Sequence, residues 1–203
     1  MNVDAGREPQ LNMRDPLPLP PTARLLVETA KKMIVEKGYS WLSIERLTSE
    51  CGVSKTAVRY YFSDKAGLLV AVIESVVHDQ VTRVRDDLAA SAGRERLHGF
   101  LAAKQAVSEN ADLFRIWIEL LPEISRDAEL SRRATELYEW LIDAYAEFFG
   151  LDAGDEAARG LAQLILGAVD GLGLQHLVNP DALDVGAAYA ALERLLDAGD
   201  PTA

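Results

Sequence analysis

The chain is poor in the groups that carry redox, metal or nucleophilic chemistry. It has 203 residues and one cysteine, Cys51, which excludes an internal disulfide and suits a reducing compartment, so we expect a cytoplasmic protein. Its three histidines, His78, His98 and His176, lack the i, i+4 spacing that places two ligands on one helix face. No Gly-x-Ser-x-Gly motif occurs. We therefore predict no metal, no cofactor and no enzymatic activity.

Long apolar runs are also missing. No uninterrupted stretch approaches the roughly 18 residues that a membrane span needs, and no convincing alternation of apolar and polar residues indicates a strand. Five of the eight prolines fall within residues 1–21. We interpret residues 1–21 as a flexible Pro-rich arm, with an arm that reaches into a DNA groove as the alternative. The sequence predicts an all-α protein without a membrane partner.

Basic residues are scarce overall and unevenly distributed. The formal net charge is −11. Residues 22–67 carry 8 Lys and Arg against 5 Asp and Glu, whereas residues 68–203 carry 11 against 24. A basic segment on a strongly acidic body can direct one face of the molecule toward a polyanion such as nucleic acid.

A helix-turn-helix pattern lies within the basic segment. A short amphipathic helix predicted over 43–51 is followed by Gly52, which suits a tight turn, and by Ser54, a good N-cap for a helix ending at Phe62. The second helix of such a motif enters the DNA major groove. Val58 is predicted to face inward. The exposed side chains that we expect to contact phosphates and base edges are Lys55, Thr56, Arg59 and Tyr60.

This block resembles the N-terminal domain of the TetR family of bacterial transcriptional repressors. The family's block usually reads Gly-Val-Ser-Lys-Gly-Thr-Leu-Tyr-His-Tyr-Phe-Pro-Ser-Lys, and the residues that match it here are Gly52, Val53, Ser54, Lys55, Tyr61, Phe62 and Lys65. The preceding Lys-Gly-Tyr-Ser-Trp-Leu-Ser-Ile run at 37–44 is similar as well. The resemblance implies that Tyr61 and Lys65 also contact phosphates. Ser43 is expected to do the same from the N-terminus of the second helix, and Ser54 completes the DNA-binding set. Because the departures at 56–60 include reading positions, the resemblance does not supply the operator sequence.

Helical spacing of apolar residues continues to the C-terminus. We predict helices over 22–37, 43–51, 54–62, about 64–87, 94–109, 111–119, 127–149, 155–178 and 184–196. Pro122 is predicted to end the sixth helix and Gly150 the seventh. Nine helices in this order are also what the TetR resemblance implies. The predicted domains are the arm at 1–21, a helix-turn-helix domain at 22–67 and a helical ligand-binding and dimerisation domain at 68–203.

Glycines are concentrated in the predicted helix 155–178, although each costs roughly 1 kcal/mol relative to alanine inside a helix. One seam would let another helix approach closely, and it consists of Gly160, Leu164, Gly167, Gly171, Leu174 and Val178. In TetR-like proteins the last two long helices of each subunit form an intersubunit four-helix bundle. The resemblance therefore implies a homodimer, with Tyr189 and Leu192 added to the interface. The alternative is that the glycines only ease packing within one chain.

A small-molecule effector is implied by the resemblance alone, because the helices between 68 and 149 enclose a ligand cavity in that family. The candidate lining residues are Phe100, Phe114, Trp117, Ile118 and Tyr138, with His78, His98 and Gln105 as polar anchors. This set favours a mostly hydrophobic, neutral or singly charged molecule.

The predicted function is a dimeric repressor that binds a palindromic operator on double-stranded DNA and is released by such a ligand. Two alternatives stay open. One is a regulator of the same fold that a protein partner controls, and the other is a helical enzyme that retains a vestigial DNA-binding domain.

Overall fold

Nine α-helices and one 3-10 turn lie within residues 19–148 and 155–198, which are the residues that the computed structural model describes. The helices are α1 Pro21–Lys37, α2 Ile44–Cys51, α3 Lys55–Phe62, α4 Lys65–Asp87, α5 Gly93–Ser108, α6 Ala111–Arg126, α7 Ala128–Phe148, α8 Glu156–Val178 and α9 Val185–Ala198. The 3-10 turn covers Tyr39–Trp41. These two ranges contain no strand, so the all-α prediction is confirmed. The predicted arm lies outside the described residues except for its last three positions.

The described residues cluster into two units. The first unit consists of the chain up to His78 together with Ile116–Leu137, and the second consists of Asp79–Arg115 together with the chain from Tyr138 onward. The helices α4, α6 and α7 each contribute residues to both units. The boundary predicted after residue 67 divides the chain by position in the sequence. The two observed units are instead defined by which residues pack together.

The first unit has an apolar core drawn from α1 to α4. The buried side chains include Leu26, Val27, Ala30 and Ile34 of α1, Leu47 of α2, Val58 and Phe62 of α3, and Leu68, Leu69 and Val72 of α4. Their recurrence every three or four residues is what makes each helix amphipathic. The core thereby fixes which side of α3 faces outward.

The prediction that Pro122 ends the sixth helix is wrong, because α6 continues to Arg126. Proline within a helix removes one backbone hydrogen bond, which weakens a helix without always ending it. Buried side chains anchor α6 on both sides of the proline, with Leu120 before it and Ile124 after it. The Ser125 hydroxyl also donates a 3.0 Å hydrogen bond to the Pro122 carbonyl. The other predicted bounds agree with the observed ones to within two residues, while the predicted stop at Gly150 lies outside the described residues.

In the second unit, α5 packs against α8 and α9. The buried face of α8 consists of Ala158, Ala162, Ile165, Leu166, Val169 and Gly173. Gly173 is required there, because a Cβ on it would lie 2.0 Å from the Phe114 ring. The small residues on this face therefore let the helices of the second unit pack closely on α8.

Candidate functional site

The helices α2 and α3 form the helix-turn-helix that the sequence predicts. Ser43 caps α2, since its Oγ accepts a 3.2 Å hydrogen bond from the backbone N–H of Arg46. Gly52 ends α2 in the left-handed region, with φ 64° and ψ 30°. The N–H of Val53 then donates a 3.0 Å hydrogen bond back to the carbonyl of Thr48. Because a side chain is strained at this backbone conformation, the turn favours glycine at position 52.

One face of α3 is buried and the other is exposed. Val58 and Phe62 lie in the core of the first unit, as the pattern predicts for Val58. Ser54 precedes α3 as its N-cap residue, and its exposed side chain makes no capping hydrogen bond. The residues that face solvent are Lys55, Thr56, Arg59 and Tyr60, of which Tyr60 is 78% exposed. Two cations, a hydroxyl and an uncovered aromatic ring form a surface that suits phosphates and base edges.

Tyr61 and Lys65 lie where α3 ends and α4 begins. Tyr61 is half-buried, and its ring packs edge-to-face on Tyr60 with the ring centres 4.9 Å apart. The Lys65 ammonium lies 4.0 Å from the centre of the Tyr39 ring. Burial lowers the pKa of Lys65, while the nearby Glu123 carboxylate raises it. The ring of Tyr39 therefore fixes the position of the Lys65 charge beside the helix-turn-helix.

Glu45 and Arg46 of α2 add one negative and one positive charge beside the exposed face of α3. Lys55 forms an ion pair with Glu45 of α2, which lowers the pKa of the Glu45 carboxyl. Both side chains are exposed, so the pair is weak and Lys55 can exchange Glu45 for a phosphate. The Arg46 guanidinium stacks 3.5 Å from the centre of the Trp41 indole. Arg46 was not among the sequence-predicted residues, although its place one turn after Ser43 puts it at the same end of α2.

The glycine seam of α8 is exposed in the single chain. It consists of Gly160, Leu164, Gly167, Gly171, Leu174 and Val178. Its three apolar side chains are 68%, 45% and 76% exposed in chain order, and a Cβ on any of its three glycines would meet no atom within 4 Å. By length and composition alone α8 could cross a membrane, and 28% of its apolar window is buried. An apolar face of this extent indicates a surface that another surface covers.

Tyr189 and Leu192 of α9 are the two residues of this helix that the sequence predicts at the dimer interface, and they differ in their surroundings. Tyr189 is buried in its own unit, where its hydroxyl lies 2.9 Å from the Oγ of Ser108. Burial raises the pKa of Tyr189 to about 12. Leu192 is half-buried, and Leu195 is 72% exposed. The structure therefore places Tyr189 in the core of one chain and not on its surface, and Ser108 provides the partner that a buried hydroxyl needs.

The eight predicted effector residues are divided between the two units. His78, Trp117 and Ile118 belong to the first unit, where Ile118 is 41% exposed and the other two are half-buried. The five that belong to the second unit are His98, Phe100, Gln105, Phe114 and Tyr138. Two of these five bind acids of the same unit, because the His98 Nδ1 lies 2.9 Å from Glu193 at the surface and Gln105 donates a 2.9 Å hydrogen bond to Glu109. Phe100 and Phe114 are buried in the interior, and Tyr138 is half-buried.

A partly buried acid that the sequence did not point to lies near two tyrosines in the second unit. Asp170 of α8 accepts a 3.2 Å hydrogen bond from the Tyr138 hydroxyl. Burial raises the pKa of Asp170 to about 6, and the Tyr138 bond opposes that rise. After burial itself, the Asp170 charge raises the pKa of Tyr145. The seven-residue spacing of Tyr138 and Tyr145 places both on one face of α7, which was the available sequence signal for this group.

Two family models match the chain. The model described as bacterial regulatory proteins, tetR family, matches residues 26–72. The model described as BetI-type transcriptional repressor, C-terminal, matches residues 92–200, which is more than half of the chain. The first match includes the helix-turn-helix, and the second includes the apolar seam of α8.

Known proteins of similar sequence and structure agree with these matches. The HTH-type transcriptional regulator BetI of Paraburkholderia phymatum is 27% identical over 179 residues, which are 85% of this chain and 89% of that protein. A transcriptional regulator from Pseudomonas aeruginosa PAO1 superposes with a TM-score of 0.71 and 19% identity over 93% of this chain and 94% of that chain. A regulator from Saccharomonospora viridis in complex with choline superposes with a TM-score of 0.64 and 21% identity over 87% of this chain and 96% of that chain. The chain thus belongs to the TetR family of bacterial regulatory proteins, with a BetI-type C-terminal domain, and is a transcriptional regulator and not an enzyme.

Proposed function

We propose that the protein is a repressor that binds a two-fold symmetric operator as a homodimer in the cytoplasm and leaves it when a small organic effector binds. The observation that carries this proposal is the exposed face of α3. Its four outward side chains offer hydrogen-bond donors, acceptors and an aromatic ring on a helix whose other face is locked into the core. Such a helix can enter a major groove without rearrangement of its own unit.

The roles of the contacting residues follow from their places on the two helices. Arg59 lies in the middle of α3 with an exposed guanidinium, which suits a bidentate contact with a guanine edge. Ser43, at the start of α2, and Tyr61 and Lys65, at the junction of α3 and α4, suit phosphates on either side of the groove. The excess of Lys and Arg over Asp and Glu in residues 22–67 provides the sequence-independent attraction.

The homodimer is supported by the seam of α8. Its glycines would let a partner helix approach closely, and its exposed leucine and valine side chains provide apolar area to bury. Leu192 and Leu195 of α9 extend the apolar surface that a partner could cover. A two-fold pair presents two α3 helices symmetrically, so we propose that the operator is an inverted repeat.

The effector is proposed to bind in the interior of the second unit. The Saccharomonospora viridis regulator in complex with choline supports a small-molecule effector for a protein of this fold. The buried Phe100 and Phe114 and the half-buried Tyr138 provide mostly apolar and aromatic contacts, as small-molecule sites commonly do. Effector binding would release the operator only if the effector has a higher affinity for the DNA-free arrangement of the dimer.

DNA-binding and effector titrations test the proposal together. Binding to DNA from the region upstream of the protein's own gene should exceed binding to random DNA of equal length, and both affinities should fall with added salt. A compound that releases the specific DNA should bind more weakly when that DNA is present, by the same factor by which it weakens DNA binding. Equal affinity for specific and random DNA would contradict the repressor, and equal ligand affinity with and without DNA would rule that compound out as the effector.

A further inference from the structure

We infer that α5 carries an anion-binding site in the second unit, formed by Arg96 and Lys104 on either side of Phe100, and that this site receives the carboxylate of an effector with an apolar body. The inference rests on the effector-responsive repressor proposed above, because it names the chemical class of that effector. It also assigns a role to two cations that the sequence reasoning did not single out.

Arg96, Phe100 and Lys104 occur at spacings of four residues, which places all three on one face of α5. Lys104 is only 1% exposed, and its Nζ lies 4.7 Å from the centre of the Tyr145 ring and 5.3 Å from that of Phe100. The Arg96 guanidinium carbon lies 5.9 Å from the Phe148 ring, whose centre is 5.3 Å from that of Phe100. The two cations and the rings of α5 and α7 therefore form one continuous row.

Neither cation has an anionic partner among the residues that the structure describes. The Nε of Arg96 is buried without a hydrogen-bond partner. Burial lowers the pKa of Lys104 to about 8. An aromatic face attracts a cation but cannot fully satisfy its three N–H donors. A buried ammonium and a half-buried guanidinium without an acid are costly, and an anionic ligand would relieve that cost.

The same geometry decides between an anionic and a cationic ligand. Aromatic rings can hold a quaternary ammonium, but here the Lys104 ammonium already lies over Phe100 and Tyr145. A second cation in this row would be repelled by both Lys104 and Arg96. A carboxylate is instead attracted by both cations, and it can accept two parallel hydrogen bonds from the guanidinium or one from the ammonium. The rings of Phe100 and Phe148 then provide apolar contact for the remainder of the ligand.

Isothermal titration of the full chain with three probes of matched shape tests this site. The probes are hexanoate, hexanamide and hexyltrimethylammonium, which share an apolar tail and differ in the charge of the head. We expect the wild-type protein to bind hexanoate at least about tenfold more tightly than either of the others, as loss of one charge-assisted hydrogen bond implies. In Lys104→Met and in Arg96→Gln, hexanoate should lose about that factor and approach hexanamide.

Arg94→Gln is the matched control, because Arg94 lies on the same helix, is exposed and carries the same charge. It should leave hexanoate binding unchanged. Equal affinity for the three probes, no binding of hexanoate to the wild-type protein, or unchanged hexanoate binding by Lys104→Met overturns the inference. Lys104→Met also serves if Arg96→Gln fails to fold, since methionine suits a buried site.

Titration of the same preparations with operator DNA separates this inference from the proposed function. Release of the operator by choline, with equal potency on wild type and on Lys104→Met, would overturn the assignment of the effector to the anion site while the effector-responsive repressor stands. Absence of sequence-specific DNA binding by the wild-type protein would overturn the repressor. Hexanoate binding that depends on Lys104 would in that case still show the anion site, but not an effector role for its ligand.

Discussion

Glu119 of α6 accepts a 2.8 Å hydrogen bond from the backbone N–H of Tyr39, a residue 80 positions earlier in the chain. Tyr39 begins the 3-10 turn that leads from α1 toward α2, and its neighbour Gly38 has a positive φ of 81°. A Cβ on Gly38 would lie 3.3 Å from the Glu119 carboxylate. The carboxylate of α6 thus fixes the turn that precedes the helix-turn-helix.

The variant Glu119→Ala should be less stable than wild type by about 1–3 kcal/mol, because it leaves the partly buried N–H of Tyr39 without its partner. Glu119→Gln keeps an acceptor oxygen and should recover part of the loss. Urea unfolding followed by circular dichroism gives both values. Glu139→Ala, at an exposed site on α7, is the control and should stay within about 0.5 kcal/mol of wild type. Equal stability of Glu119→Ala and that control would mean that the hydrogen bond contributes nothing.

Removal of the acid beside Lys55 should strengthen binding to DNA of any sequence. Glu45→Gln takes away the carboxylate that pairs with Lys55 and repels phosphate. We expect tighter binding to specific and random DNA alike and a steeper dependence on salt by about one phosphate contact. Fluorescence anisotropy over a range of salt concentrations measures both. Glu28→Gln, an exposed acid of α1, controls for the change in net charge. Weaker binding by Glu45→Gln would instead show that Glu45 positions Lys55 for DNA.

Two glycines of α8 should respond to substitution in opposite ways. Gly167→Leu meets open space in the single chain, so it should leave folding intact and weaken the dimer by about 1–3 kcal/mol through overpacking at the interface. Gly173→Ala should destabilise the chain itself, because its Cβ would overlap the Phe114 ring. Sedimentation and thermal unfolding separate the two effects. A dimer of wild-type affinity in Gly167→Leu would place the interface away from the seam.

Glu74 should make the first unit less stable as the pH rises. It lies 4.0 Å from Arg133, one of its carboxyl oxygens has no hydrogen-bond partner, and burial raises its pKa from 4.5 to about 7. A carboxyl with a raised pKa binds its proton more tightly in the folded state than in the unfolded chain. The contribution of this group to stability therefore falls as the pH rises from about 4.5 to about 7.

Glu74→Gln removes this loss of folding stability at higher pH. The variant should be more stable than wild type at pH 8, by at most about 3 kcal/mol, and the gain should shrink toward pH 5. Urea unfolding at the two pH values measures it, with the exposed Glu50→Gln as the control. A variant that is less stable than wild type at pH 8 would show that the charge of Glu74 is needed by Arg133.

The sequence predicts the parts of this molecule whose signals are local. The turn at Gly52, the inward Val58 and eight of the nine helix patterns depend on spacing within a few residues, and the structure agrees with them. The exception is Pro122, where burial of Leu120 and Ile124 outweighs the missing backbone hydrogen bond. Tertiary packing is not visible in a local pattern.

The same limit explains the residues that the sequence reasoning missed. Asp170 becomes notable only when the fold buries it beside Tyr138, and Lys104 only when the rings of Phe100 and Tyr145 enclose its ammonium. On a helical pattern a single charged residue is usually an exposed one. Tyr189 was predicted at an interface and lies in the core. An aromatic residue on an apolar stripe suits either place, and the buried contact with Ser108 is not visible in the sequence.

The symmetry of the protected DNA tests the central claim most directly. Footprinting of the region upstream of the gene, with wild type and with Arg59→Ala, should show two protected half-sites related by a two-fold axis for the wild-type protein. Arg59→Ala should lose about 1–3 kcal/mol on that site and little on random DNA, because it removes a base contact and not a general phosphate contact. An asymmetric footprint, or equal losses on specific and random DNA, would contradict the account of a dimeric repressor that reads its operator through α3.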